Sequence, residues 1–220
     1  MATLITEAAG GHLFLTLIFS VFASIILGMG LPTTATYIIM AAMTAPAIMT
    51  ISADLALGLP VVAVHLFVFY YGIVADDTPP VGLCAYAAAG IAGSDPIKTG
   101  WKSFRLDLAA FTLPFMFIYN TKLLMIDTTV MEVLYLIPLC ILGMFCWSVF
   151  IQGHWKVRTP LFERFLFLGL AFLLVNPNHL SIGEMMINKH LVNGLAIAAV
   201  AAIYFSQRAR ANRVLAPAAA

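Results

Sequence analysis

Charge is what this sequence has least of. Only 10% of its 220 residues are Asp, Glu, Lys or Arg, where a soluble domain carries about 25%. Hydrophobic residues make up 62% and the mean hydropathy is +1.00. Such a chain has too little polar side chain to cover itself in water, which excludes a soluble globule and leaves an integral membrane protein. Cysteine is nearly as scarce: Cys84, Cys140 and Cys146 all lie in apolar runs. An odd number in such positions excludes a disulfide framework, and they read as small apolar fillers. Neither C-x-x-C spacing nor a Cys/His cluster suggests zinc. No basic patch interleaved with aromatics suggests nucleic acid, and the net charge of +1 points to no partner. Residues 1–12 lack Lys and Arg and include Glu7, so they are not a secretory signal.

What is present is a series of apolar runs, at 13–27, 35–51, 61–75, 81–93, 105–119, 132–151, 161–175 and 191–206. A helix crossing the hydrocarbon needs about 20 residues, with a lower end near 17. The run at 132–151 qualifies outright, and those at 105–119, 161–175 and 191–206 qualify once their flanks are counted. The runs at 61–75 and 81–93 are short, as two halves of one broken helix should be. The basic residues fall into three groups: Lys98, Lys102 and Arg105; Lys156, Arg158 and Arg164; Arg208, Arg210 and Arg213. With these in the cytoplasm, nine of the eleven basic residues are inside, and only Lys122 and Lys189 are outside. The positive-inside rule then sets the C-terminus in the cytoplasm, with 208–220 as a basic tail. Working backwards, residues 1–12 are external. An N-terminus that begins outside without a signal suits the second half of a longer chain.

Two breaks interrupt these runs, Gly28-Met29-Gly30-Leu31-Pro32-Thr33-Thr34 and Asp76-Asp77-Thr78-Pro79-Pro80. In lipid every backbone N–H and C=O needs a partner, so unwound backbone at membrane depth survives only inside protein or beside a watery cavity. Paired Gly/Pro-interrupted segments point to the binding site of a secondary transporter. Pro32 lacks an N–H, and Gly28 and Gly30 tolerate left-handed backbone, so the first helix should stop there. Thr33 or Thr34 is expected to cap the next helix, and Thr78 to cap the helix after the second break, with Pro79 in its first position. Each break thus sets a helix C-terminus beside a helix N-terminus. The C-terminal carbonyls, with the hydroxyls of Thr33, Thr34 and Thr78, offer hard oxygen ligands to a small cation. The N-termini, at Thr33–Thr34 and at Val81–Gly82, offer N–H groups to an anion such as a carboxylate. Asp76 and Asp77 are the acidic residues at the second break. A carboxylate at the bilayer centre costs about 2.5–3.5 kcal/mol on insertion scales and reads as functional; the alternative is a vestibule position that merely caps a helix.

Other polar residues read as structural. His65 lies eleven residues before Asp76, about 16 Å along a helix, too far to share a metal, and is expected to pack. Asp107, two residues from Arg105, is expected at the interface. Trp101, Tyr119, Trp147 and Trp155 sit near span ends, as in an aromatic belt. The alanine-rich stretch 85–92, with Tyr86 and Gly90, suits close helix packing.

At these residues the chain resembles a known family. GMGLPTTATYI at 28–38, HLFVFYYG at 65–72, DTPPVGLCAYAAAGIAGSDPIKTGWKSFR at 77–105 and PFMFIYN at 114–120 are similar to the large permease subunit of tripartite ATP-independent periplasmic (TRAP) transporters. The closest likeness is to the fused permease that works with TAXI-type binding proteins. The resemblance implies an all-α integral membrane protein with an elevator-type repeat: a re-entrant hairpin over 13–51, a broken helix over 61–93 and a span at 105–119. Further transmembrane helices would fill 121–207. By position it implies that Gly28, Gly30, Thr33, Thr34, Thr78 and Pro79 hold sodium (or a proton) beside the substrate carboxylate. With Asp76 and Asp77 added by the cost of a carboxylate in lipid, the expected cation site is Gly28, Gly30, Thr33, Asp76, Asp77 and Thr78. With the second helix N-terminus added, the expected substrate site is Thr33, Thr34, Thr78, Pro79, Val81 and Gly82. The implied function is ion-driven import of an organic acid or amino acid through a bacterial or archaeal cytoplasmic membrane, from a periplasmic binding protein and with an N-terminal permease half. No cofactor is expected. The competing expectation is a truncated or split subunit without transport activity of its own. An intramembrane enzyme is disfavoured, because adjacent Asp76 and Asp77 point apart and no Ser/His pair accompanies them. A simple channel has no need of paired broken helices.

Overall fold

A computed structural model of the chain describes residues 2–175, 181–182, 185–186 and 189–215. It is all-α apart from a two-residue antiparallel pairing, Ser181–Ile182 with Met185–Met186. The chain divides into two compact units, 1–126 and 127–220. Among the described residues, three helical stretches are long and apolar enough to cross a membrane: Thr33–Asp54, Val130–Gln152 and Leu191–Asn212.

The first unit holds α1 (Ala2–Ala8), α2 (Leu13–Gly28), α3 (Thr33–Met43), α4 (Ala45–Asp54), α5 (Val61–Val74), α6 (Leu83–Ala92), α7 (Pro96–Asp107) and α8 (Leu113–Tyr119). Helix α5 is its centre. A helix apolar on every face is a buried helix, and Val64, Phe67, Val68 and Tyr71 are almost wholly enclosed. They pack with Leu17, Val21, Met40, Ile48 and Ile118 from the surrounding helices. Because lipid tails are as apolar as leucine, close packing rather than escape from water must hold these helices together. The residues at the contacts are accordingly small: Thr16, Ser20, Ser24 and Gly28 recur at every fourth position of α2 and are all buried. Helix α8 and the turn before it pack on α5, with Phe115 edge-on to Phe67 and Phe111 edge-on to Tyr71. The Tyr71 hydroxyl donates to the Phe111 carbonyl. The pause between α3 and α4 at Thr44 follows from Pro46, which has no N–H for the carbonyl of Ala42.

Within residues 1–12, α1 packs against α4 and buries Ile5. One expectation changes here. The stretch 105–119 is not one span: α7 ends at Asp107, a 3₁₀ turn covers Ala110–Thr112, and α8 begins at Leu113. Pro114, in the first turn of α8, has no N–H and so cannot continue the ladder from α7. His65 is a polar packing residue, its Nδ1 2.9 Å from the Tyr37 hydroxyl across α3 and α5.

The second unit holds α9 (Val130–Gln152), α10 (Leu161–Val175) and α11 (Lys189–Leu215) around Cys146, Phe167, Ala171, Leu174 and Ala196. Thr129 and Glu132 form a reciprocal capping box at the start of α9. At its end, Arg164 Nε donates to the Phe150 carbonyl at 2.9 Å and Nη2 to the Ile151 carbonyl at 3.2 Å. A cation there satisfies helix-end carbonyls that have no partner within the helix. The stretch 208–220 is not wholly a tail, since α11 runs to Leu215 and Arg210 pairs with Glu163. Gln207, fully buried, donates to the same carboxylate at 3.0 Å. Residues 216–220 of the expected tail lie outside the described residues.

Candidate functional site: two helix breaks in contact

Both breaks form where the helix-breaking residues stand. Helix α2 closes with the Met29 N–H on the Ile25 carbonyl at 3.1 Å and the Leu31 N–H on the Gly28 carbonyl at 3.3 Å. Gly30 takes φ +80°, a left-handed backbone that glycine adopts without strain. Pro32 then occupies the N-cap position of α3 with extended backbone, and no side chain caps the helix. The expectation that Thr33 or Thr34 caps is therefore corrected. Both lie inside the first turn, exposed, where the helix has N–H groups with no partner of its own.

The second break is longer. After α5 come a 3₁₀ turn at Ala75–Asp77 and a loop that contains a cis Pro79–Pro80 bond. Helix α6 begins at Leu83, after Gly82 at φ +40°. Thr78 does not cap α6 and Pro79 is not its first residue, contrary to expectation. Instead the Thr78 hydroxyl turns back and donates to the Val74 carbonyl at 2.8 Å, closing the end of α5. As a donor in that bond its oxygen keeps its lone pairs. The Gly82 N–H donates to the Thr78 carbonyl at 3.2 Å, and the Tyr86 hydroxyl to the Pro80 carbonyl at 2.7 Å. Val81 is half-buried and Gly82 buried at this entrance to α6.

The ends of α2 and α5 touch. A Cβ placed on Gly28 would lie 2.8 Å from Ala75 Cβ, 3.0 Å from Thr36 Cγ2 and 3.3 Å from the Gly72 carbonyl oxygen. One placed on Gly72 would lie 3.0 Å from the same Thr36 methyl. The two breaks are thus joined by a seam of small residues in which a single added carbon has no room. Thr36, fully buried, also donates its hydroxyl to the Leu31 carbonyl at 3.4 Å, tying the first break to the start of α3. Sequence reasoning passed over Thr36, Gly72 and Ala75. The signal available was Gly72, a lone glycine in an otherwise bulky helix, where a packing reason is the usual explanation.

Asp76 follows Ala75 directly and is therefore at this junction. One of its carboxylate oxygens, Oδ1, is shielded from solvent and has no hydrogen-bond partner among the described residues. An unpartnered buried carboxylate oxygen carries a large desolvation cost unless a cation or proton meets it. Asp107, at the end of α7, lies close enough to Asp77 for the two carboxylates to interact, so negative charge from two segments gathers around the second break. Among the described residues no three His, Cys, Asp or Glu side chains converge as a metal site. Backbone carbonyls, hydroxyls and single carboxylates are the oxygen donors on offer, and they suit hard cations rather than transition metals.

Against known families, residues 1–132 match the model described as Tripartite ATP-independent periplasmic transporter, DctM component. No curated protein and no solved structure matches the chain. The match takes in α1 to α8 with both breaks, and it covers more than half of the sequence. Such a family makes the chain a transporter component rather than an enzyme, with a periplasmic binding protein as partner. The chain belongs to the DctM-component family, the permeases of the tripartite ATP-independent periplasmic transporters.

Proposed function

We propose that this chain is the second-repeat half of an elevator-type permease that imports an organic acid or amino acid, coupled to a sodium (or proton) gradient and served by a TAXI-type periplasmic binding protein. It works in a bacterial or archaeal cytoplasmic membrane with its C-terminus in the cytoplasm. The observation that carries the reading is the contact between the two breaks at Gly28, Thr36, Gly72 and Ala75, with the unpartnered Asp76 oxygen beside it. Cation and substrate then meet the same few residues, which is what coupling requires: each ligand must favour the same arrangement of the two breaks.

The cation is held by Asp76, with Asp77 adding charge, by the oxygens of Thr33 and Thr78, and by backbone at Gly28 and Gly30. The lone pairs left on the Thr78 hydroxyl, which donates to Val74, fit that role. The substrate carboxylate lies against the free N–H groups at Thr33 and Thr34 and the entrance to α6 at Pro79, Val81 and Gly82, where helix N-termini favour an anion. Reconstitution tests this. The chain is placed in proteoliposomes alone and with an N-terminal permease half, with binding protein and candidate acids outside. Uptake that needs both halves and a sodium or proton gradient is expected. Binding protein that docks without any gradient-driven uptake would favour a subunit with no transport activity.

A further inference from the structure

Helix α7 does not belong to the packed core of its unit. Asp95 caps its first turn, accepting the Lys98 N–H at 3.0 Å, and Pro96 opens it. Its inward side is marked by Gly100, which is buried against the Tyr86 ring of α6. Its other sides are exposed and sorted by chemistry. Ile97 and Trp101, one turn apart, are 65% and 59% exposed. Lys98 and Lys102, also one turn apart, are exposed beside them, and Arg105 continues the basic row. The acidic residues of the segment are elsewhere: Asp95 is engaged as the cap and Asp107 is half-buried.

An apolar edge with a bulky aromatic beside a row of cations is the composition of a helix lying in the membrane interface, with its apolar side about 5–10 Å into the headgroup and acyl boundary. The lysine stems can run along that boundary while their ammonium groups reach phosphate. Tryptophan favours the same depth. We propose that α7 is an interfacial helix whose Ile97–Trp101 edge enters the acyl boundary and whose Lys98–Lys102 edge binds the phosphates of anionic lipids. Charge complementarity selects that occupant: the basic row has no acidic side chain interleaved with it, and a membrane protein always has phosphate within reach. The proposal is independent of what the helix breaks bind.

The test uses the full chain in lipid nanodiscs containing phosphatidylglycerol or phosphatidylcholine. Wild type and Trp101→Phe are compared for fluorescence quenching by lipids brominated on the acyl chain, so that the difference reports Trp101 alone. Phosphatidylglycerol retention is measured by native mass spectrometry for wild type and K98Q/K102Q. At about fivefold for each basic residue near a charged surface, the double variant should bind phosphatidylglycerol at least tenfold more weakly, with the Trp101 quenching kept. Unchanged retention in K98Q/K102Q would overturn the proposal. So would a Trp101 reached by aqueous acrylamide but not by brominated lipid, which would place α7 in water. A Trp101 shielded from both quenchers would show the face covered by protein. Displacement of the retained lipid by inorganic phosphate would make it a free-anion site.

Discussion

Gly28→Ala is the most direct challenge to the seam that joins the two breaks. The added methyl would lie 2.8 Å from Ala75 Cβ and 3.3 Å from the Gly72 carbonyl oxygen. Both atoms are fixed to backbone and cannot swing aside as the end of a flexible side chain would. Overpacking of this kind costs about 1–3 kcal/mol. Replacing glycine in a helix returns up to about 1 kcal/mol, so a net loss of about 1–2 kcal/mol is expected. For a chain of this size that is a fall of ~2–8 °C in the unfolding midpoint, measured in mild detergent. Ala75→Gly removes the 2.8 Å contact and should restore most of the loss in the double variant. The natural control is Gly30→Ala. Nothing lies within 4 Å of its Cβ position, but its φ is +80°. Its cost is backbone strain of about 1 kcal/mol, which Ala75→Gly should not relieve. A Gly28→Ala protein as stable as wild type, or one indifferent to Ala75→Gly, would show that the two breaks are not held together by this contact.

Thr33→Val with Thr78→Val should weaken the dependence of uptake on the cation gradient while leaving membrane insertion intact; unchanged ion dependence would remove both hydroxyls from the site. The same substitution at Thr78 breaks its bond to the Val74 carbonyl, so about 1 kcal/mol of stability should also go. Asp76→Asn should abolish gradient-driven uptake with little loss of thermal stability, because the unpartnered oxygen contributes no bond to the fold. A collapse in stability instead would make Asp76 structural. In the second unit, Arg164→Met should lower stability by about 1.5–3 kcal/mol through the lost charge-assisted bonds to Phe150 and Ile151, without altering ion dependence.

The breaks at 28–34 and 76–80 were legible because proline and glycine act on their own residues, whatever surrounds them. Pro32 has no N–H in any environment, and Gly30 reaches a left-handed φ at no steric cost. The capping roles were less legible. Thr78 had two helix ends within reach, and only the course of the loop to Gly82 decides that it serves α5. The division of 105–119 was hidden for a related reason. Hydropathy measures how apolar a stretch is, and it does not register that the helix stops after Asp107 and restarts at Leu113 with Pro114 in its first turn.

Composition and local helix chemistry alone therefore settle that the chain is all-α, lives in a membrane and unwinds at two places. Those properties depend on how much polar surface exists and on which residues can keep a hydrogen-bond ladder. Tertiary structure decides the rest. Residues more than forty positions apart, Gly28 and Ala75, are neighbours because the ends of α2 and α5 meet where Gly28 and Gly72 have no side chain and Ala75 only a methyl. Arg210 meets Glu163 because α11 packs back on α10. Such meetings depend on the angle and register at which helices pack, which the shape of all the contacting side chains sets together and no local run of residues encodes.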